Sequence, residues 1–139
     1  VLIDYSHTPD SLENILRAVR GFCTGRIIAV FGCGGDRDPY KRPVMGKIAA
    51  ELSDLAIVTS DNPRTEDPYK ILRQILAGMQ DTETPYEVIE SRVSAIGRAM
   101  ELAQKDDVIV LCGKGHETYQ EIGHLDEREV VASYLEANA

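Results

Sequence analysis

Asp61-Asn62-Pro63-Arg64 sets a carboxylate, a carboxamide and a guanidinium around one rigid residue, directly after the apolar run Leu55-Ala56-Ile57-Val58. Pro63 fixes its own φ and biases Asn62 toward extended backbone, so the turn is stiff and can present Asn62 and Arg64. The guanidinium of Arg64 is a planar fork suited to a carboxylate or a phosphate. Read alone, the same four residues also describe a capped turn with a solvated arginine.

Three more turns carry comparable chemistry. Gly32-Cys33-Gly34-Gly35-Asp36-Arg37-Asp38 has glycines that let the backbone turn sharply and approach a ligand while Arg37 projects toward it. It lacks both the Gly-x-Gly-x-x-Gly spacing and a Walker ending, which argues against a nicotinamide dinucleotide site. Asp36 and Asp38 either orient Arg37 or cap the turn, and Lys41 and Arg42 add charge that a solvated face explains equally well. In Gly113-Lys114-Gly115-His116-Glu117, Glu117 can receive an ammonium group and the Gly113 carbonyl can accept from the same group. His116 has no paired nucleophile, and Cys33 and Cys112 show no arrangement that lowers a thiol pKa. Asp4-Tyr5-Ser6-His7-Thr8-Pro9-Asp10 offers a carboxylate for vicinal ribose hydroxyls, Tyr5 and His7 to border a base, and a Thr-Pro helix start.

Such turns act together only if the fold gathers them. Val1-Leu2-Ile3, Ile27–Phe31, Leu55–Thr59, Tyr86–Ile89 and Val108–Cys112 read as short strands, the middle ones apolar on both faces. Helical spacing recurs between them: Leu12, Ile15, Leu16 and Val19 after Pro9; Met45, Ile48, Ala49 and Leu52 from Pro43; Ile71 to Met79 after Asp67-Pro68; Val93 to Ala103 after Ser91. Thr118 to Ile122 suggests a further extended piece, and Val130 to Leu135 a closing helix. Strands alternating with helices predict an α/β, Rossmann-like three-layer domain with a mainly parallel sheet. Parallel strands present their carboxyl ends along one edge, so the turns beginning at Asp4, Gly32, Asp61 and Gly113 should converge there.

The chain has 139 residues, enough for one domain spanning 1–139 with its own core. A formal charge of −8 speaks against a non-specific nucleic-acid or anionic-membrane surface. Three scattered cysteines without a Cys-x-x-Cys pair argue against a disulfide framework or zinc site and suit a reducing cytoplasm. No apolar run reaches the roughly 18 residues of a membrane span, and no signal peptide is visible. The abrupt start inside Val1-Leu2-Ile3 suggests a piece of something longer.

Together, the four turns and Lys41-Arg42-Pro43 resemble the carboxyl-terminal domain of the Mur ligases, in the branch that adds the third amino acid of the peptidoglycan stem. The resemblance covers essentially the whole chain. It implies an ATP-dependent amide ligase of three domains, whose amino-terminal domain binds the UDP sugar. The central domain of such enzymes carries the P-loop, the Mg2+ ligands and a modified lysine, and none of those motifs occurs here. The isolated third domain would be inactive alone, bringing part of the ATP/ADP site and meeting the UDP-N-acetylmuramoyl-dipeptide through the absent domains.

Carried over by position, Asp4 and His7 would contact the nucleotide. Arg37, Asp61, Asn62, Pro63, Arg64, Gly113 and Glu117 would form the amino-acid site. Arginine after Asp-Asn-Pro resembles the family members that use meso-diaminopimelate. That substrate differs from lysine by a distal carboxylate, which Arg64 and Arg37 can hold while Glu117 meets the distal ammonium. Two rivals are a standalone non-catalytic α/β module binding a small amino acid or nucleotide, and a hydrolase using Cys112 or His116.

Overall fold

The computed structural model describes residues 1–4, 7–35 and 37–113 with their side chains, and the backbone alone of 119–120 and 123–124. Five strands form one all-parallel sheet in the order β1-β5-β2-β3-β4: β1 (Leu2–Asp4), β2 (Ile27–Phe31), β3 (Leu55–Val58), β4 (Tyr86–Val88) and β5 (Val108–Cys112). The three central strands are the apolar runs, and β2 is buried along its whole length. The two edge strands are three residues each and partly exposed, as the weaker Tyr86-Glu87-Val88 pattern suggests.

Helices α1 (Pro9–Arg20), α2 (Lys41–Leu52) and α3 (Pro68–Ala77) cover one face, and α4 (Arg92–Leu102) covers the other. Alternation along the strands divides the core accordingly. Ile27, Ala29, Phe31, Val58 and Cys112 pack toward the three-helix side. Ile28, Val30, Ile57, Ile109 and Leu111 pack toward α4. The chain steps in one direction through β1, β2, β3 and β4 with its helices on one face. Its return from β4 to β5 reverses direction, and right-handed crossover then puts α4 on the opposite face.

Local chemistry sets the helix starts. Thr8 and Ser11 form a reciprocal capping box, with Ser11 N donating to Thr8 Oγ1 at 3.2 Å and Thr8 N donating to Ser11 Oγ at 3.1 Å. Asp67 accepts from Tyr69 N at 3.0 Å ahead of Pro68, and Ser91 accepts from Ser94 N at 3.3 Å. Helix α2 departs from the expected start: it begins at Lys41, two residues before Pro43. A first-turn proline is tolerated there because that turn's N–H groups have no intrahelical acceptor. The extended piece after Thr118 is present as β6 (Tyr119–Gln120), paired antiparallel with β7 (Gly123–His124). The closing helix expected over 130–135 lies outside the described residues. Among them, no helix is long and apolar enough to cross a membrane.

Candidate functional site

The parallel strands deliver their loops to one rim, and backbone hydrogen bonds knit those loops together. Thr59 N donates to Phe31 O at 2.9 Å, Gly35 N to Asn62 O at 2.7 Å, and Gly113 N to Asp4 O at 3.2 Å. Between them lies a cleft of about 280 Å³ whose lining includes His7, Gly34, Arg37, Asp61, Asn62, Arg64 and Gly113. Residues from four strand ends therefore share one concavity, as the sequence predicts. Asp4 sits half-buried at the end of β1 and Pro63 is buried at the seam beneath Gly35; neither is among the lining residues. Glu117, with Lys114, His116, Tyr5, Ser6 and Asp36, lies outside the described residues.

The β2 loop owes its glycines to a neighbour within the protein. A Cβ on Gly35 would run into the Pro63 carbonyl, and one on Gly32 into the Thr59 carbonyl. The expected close approach of backbone is present, but it is made to the 59–63 segment, and this seals the two loops into one unit. Gly113, at φ 105, is a further position on this rim that favours glycine.

Arg64 adopts φ 51, in the left-handed region that a non-glycine residue seldom occupies. The turn is closed by Glu66 N donating to Pro63 O at 3.0 Å. Its guanidinium is tied down along one edge: Nη1 donates to Gly35 O at 3.0 Å and Asn62 O at 3.4 Å. Nε and Nη2 make no hydrogen bond to a described residue, so one fork edge is available to a ligand. Arg37 is exposed and has no ion pair among the described residues. Asp38 does not hold it; that carboxylate accepts from Tyr40 N at 3.0 Å and caps the turn. Backbone strain at Arg64 and a lashed guanidinium describe a preorganised acceptor of a planar anion.

Two arginines are buried, which the sequence alone does not show. Arg42, left open there between charge at the turn and a solvated face, is 1% exposed. It donates bidentately to Glu66, Nη2 at 2.7 Å and Nη1 at 3.0 Å, with further bonds to Gln74 Oε1 and to Gly34 O at 3.0 Å. Arg92, 2% exposed, donates to Ser60 O at 3.2 Å and Cys112 O at 2.8 Å, so it joins the ends of β3 and β5. Both were legible in principle: Arg42 lies on the stripe of Met45 and Ala49, and Arg92 on that of Ile96 and Ala99.

The cysteines offer no nucleophile. Burial pushes the Cys33 thiol up to about 12; Asp61 adds to that and the Arg42 charge opposes it, so the thiol stays protonated at neutral pH. Cys112 is fully buried within β5, which removes it from the hydrolase reading.

Residues 1–115 match the family model described as Mur ligase, glutamate ligase domain. The chain is 63% identical over 133 residues to the UDP-N-acetylmuramoyl-L-alanyl-D-glutamate--2,6-diaminopimelate ligase of Trichormus variabilis, covering 93% of this chain and 27% of that protein. It is 55% identical over 140 residues to the enzyme of the same name from Clostridium tetani, covering 98% of this chain and 28% of that one. A solved structure of a ligase of that name superimposes with a TM-score of 0.91 at 41% identity, over 96% of this chain and 28% of the other. The chain thus spans a little over a quarter of the length of these relatives.

Proposed function

The chain belongs to the Mur ligase family through its glutamate ligase domain, and from that premise we propose that it is the amino-acid- and nucleotide-contacting domain of an ATP-dependent ligase. The full-length enzyme joins meso-diaminopimelate to UDP-N-acetylmuramoyl-L-alanyl-D-glutamate in peptidoglycan synthesis, in the cytoplasm. Residues 1–139 act as one domain of it, with the UDP-sugar and ATPase portions elsewhere in the protein. The observation that carries this reading is the meeting of Arg37, Asn62, Arg64 and Gly113, from three strand ends, in one cleft.

Amide formation from a carboxylate requires activation, and ATP, when bound, supplies the phosphoryl group that activates the γ-carboxyl of the D-glutamyl residue. What remains for this domain is to position the incoming amine and neutralise its substituents. Nε and Nη2 of Arg64, with Arg37 beside them, would take the distal carboxylate of diaminopimelate. Asn62, Gly113 and Glu117 would orient its polar ends, with Asp61 and Pro63 shaping the turn. Asp4 at the end of β1 would hold the nucleotide ribose, and His7 on the cleft wall would border the nucleotide. The described residues contain no group of three His, Cys, Asp or Glu side chains suited to a metal. The family resemblance assigns the Mg2+ ligands to the central, P-loop-bearing portion of the ligase.

Lysine lacks the distal carboxylate, so its binding would leave the cations of this cleft without their partner, a mismatch that can reject an analogue by ~10⁴-fold. In the full-length enzyme, Arg64→Ala should raise KM for diaminopimelate by ~10- to 100-fold, the equivalent of one charge-assisted hydrogen bond, and narrow the preference over lysine. Steady-state kinetics with both amino acids test this, and an unchanged KM would overturn it.

A further inference from the structure

We infer that Arg42, which is 1% exposed and reaches the inner lining of the cleft, is a positioning residue for amino-acid selection, acting on Arg64 through the Gly34-Gly35 segment. The argument rests on a relay of contacts. The Arg42 guanidinium is held by Glu66 at 2.7 and 3.0 Å and by Gln74 from α3, so its own position is set from two elements. From there, Nη2 donates to the Gly34 carbonyl at 3.0 Å. The next carbonyl, that of Gly35, accepts from Nη1 of Arg64 at 3.0 Å.

Successive carbonyls of one glycine pair thus face two different arginines, one buried and one at the ligand edge. A glycine pair has little torsional preference of its own, so the orientation of this peptide is set by its partners. Gly34 also lies between the two ligand-facing cations: its added Cβ would stand 2.9 Å from Nη1 of Arg64 and 3.5 Å from Cγ of Arg37. The 34–35 peptide is held at both ends, Gly34 O by Arg42 and Gly35 N by Asn62 O at 2.7 Å. Rotating it would swing Gly35 Cα and with it the following carbonyl, the acceptor that orients Arg64. Glu66 closes the circuit, because it follows Arg64 by two residues in the turn that starts at Pro63. The fork that receives the distal carboxylate is thereby aligned from both its backbone and its guanidinium. The role assigned to Arg42 rests on the reading of this cleft as the diaminopimelate site.

The test is steady-state kinetics of the full-length ligase with Arg42→Lys, which keeps the charge but cannot donate to Glu66 and Gly34 through one planar fork. The expected result is a ~10-fold rise in KM for diaminopimelate, kcat within about twofold of the parent, KM for ATP unchanged, and selectivity over lysine reduced by the same factor. Glu66→Gln should move the same parameters in the same direction. An unchanged KM for diaminopimelate in Arg42→Lys overturns the inference. So does a parallel rise in KM for ATP with a lowered melting temperature, which marks general loosening. If Arg42→Lys does not fold, Glu66→Gln decides by the same criteria. If neither folds, Arg42 serves folding and the inference falls. Failure of the cleft reading looks different: the parent enzyme would then fail to prefer diaminopimelate, or Arg64→Ala would leave that preference intact.

Discussion

The two ends of this sheet solve the same problem with opposite charges. At the amino end, backbone N–H groups entering the strands are met by carboxylates. Asp54 Oδ2 accepts from Ile27 N at 2.8 Å, and Asp107 Oδ1 from Arg26 N at 2.8 Å. At the carboxyl end, the carbonyls leaving the strands are met by guanidinium groups: Arg92 serves Ser60 and Cys112, and Arg42 serves Gly34. Because every strand of the sheet runs the same way, donors collect on one edge and acceptors on the other. The cleft at this rim is lined by Arg37, Lys41, Arg42 and Arg64 together with Asp38 and Asp61, and Glu66 pairs with the Arg42 charge. At the amino rim the same carboxylates are paired with arginines, Asp54 with Arg20 and Asp107 with Arg26. At the carboxyl end, arginines brace the loops and also line the cleft, so bracing and the shape of the cleft can be coupled there.

The comparison breaks most visibly if the buried brace is removed outright. Arg42→Met removes the Arg42 donor from the Gly34 carbonyl and the bidentate partner from Glu66, which keeps Lys70 at 3.8 Å, in a place where Arg42 itself is 1% exposed. Breaking a buried pair by removing one partner typically costs ~3–5 kcal/mol. Urea unfolding of the chain should show a loss of that order with an unchanged m-value. A loss below ~1 kcal/mol would mean that the carboxyl rim is held by its backbone ladder alone.

The sequence makes the scaffold legible where a residue's type and its environment agree. Ile27–Phe31 and Val108–Cys112 read as buried strands because β-branched runs too short for a helix suit a strand covered on both faces. Thr8-Pro9, Asp67-Pro68 and Ser91 mark helix starts because their side chains can satisfy orphan N–H groups. Convergence of the turns then follows from parallel topology, without reference to any side-chain contact. Arg42 and Arg92 were missed because charge by itself suggests solvent. Their burial depends on carbonyls contributed by residues 8 to 32 positions away in the chain. For a related reason the reading of Gly32 to Gly35 did not include the neighbour that Gly32 and Gly35 approach within the protein: sequence shows that backbone must come close, and only the fold shows the 59–63 segment.

The amino rim predicts a smaller response, and one that depends on pH. The side chain of Asp107 is 4% exposed, and desolvation works against its charged form. Hydrogen bonds from the backbone of Gln104 and Arg26 and from the Arg26 guanidinium outweigh that and hold its pKa below the ordinary carboxylate value. A carboxylate with a depressed folded pKa contributes stability above its unfolded pKa, about 3.9 for aspartate, and loses it as pH falls through the folded value. Asp107→Asn should therefore cost ~1–3 kcal/mol at pH 7, from weakened acceptance of several donors, and should flatten the acid limb of the stability profile below about pH 4. Chemical unfolding across that range checks both parts. Ligand selection in the full-length enzyme should be unaffected, since Asp107 stands at the far end of β5 from Gly113.

The smallest effect calibrates the other two. Arg17 and Glu13 form an i,i+4 pair on the outer face of α1 at 3.2 Å, with side chains 63% and 44% exposed. Its separation barely differs from the 3.0 Å of Arg26–Asp107 or the 2.7 Å of Arg42–Glu66. If contact distance governed these pairs, the three should rank close together. Water, however, solvates both partners when the exposed pair is broken, and long side chains lose rotamer freedom when it forms. A double-mutant cycle on Arg17 and Glu13 should give a coupling of only ~0.3–0.5 kcal/mol, diminished further by added salt. A coupling as large as that of the buried pair would show that burial is not what separates the carboxyl-rim brace from an ordinary surface contact, and the contrast between the two rims would then lose its physical basis.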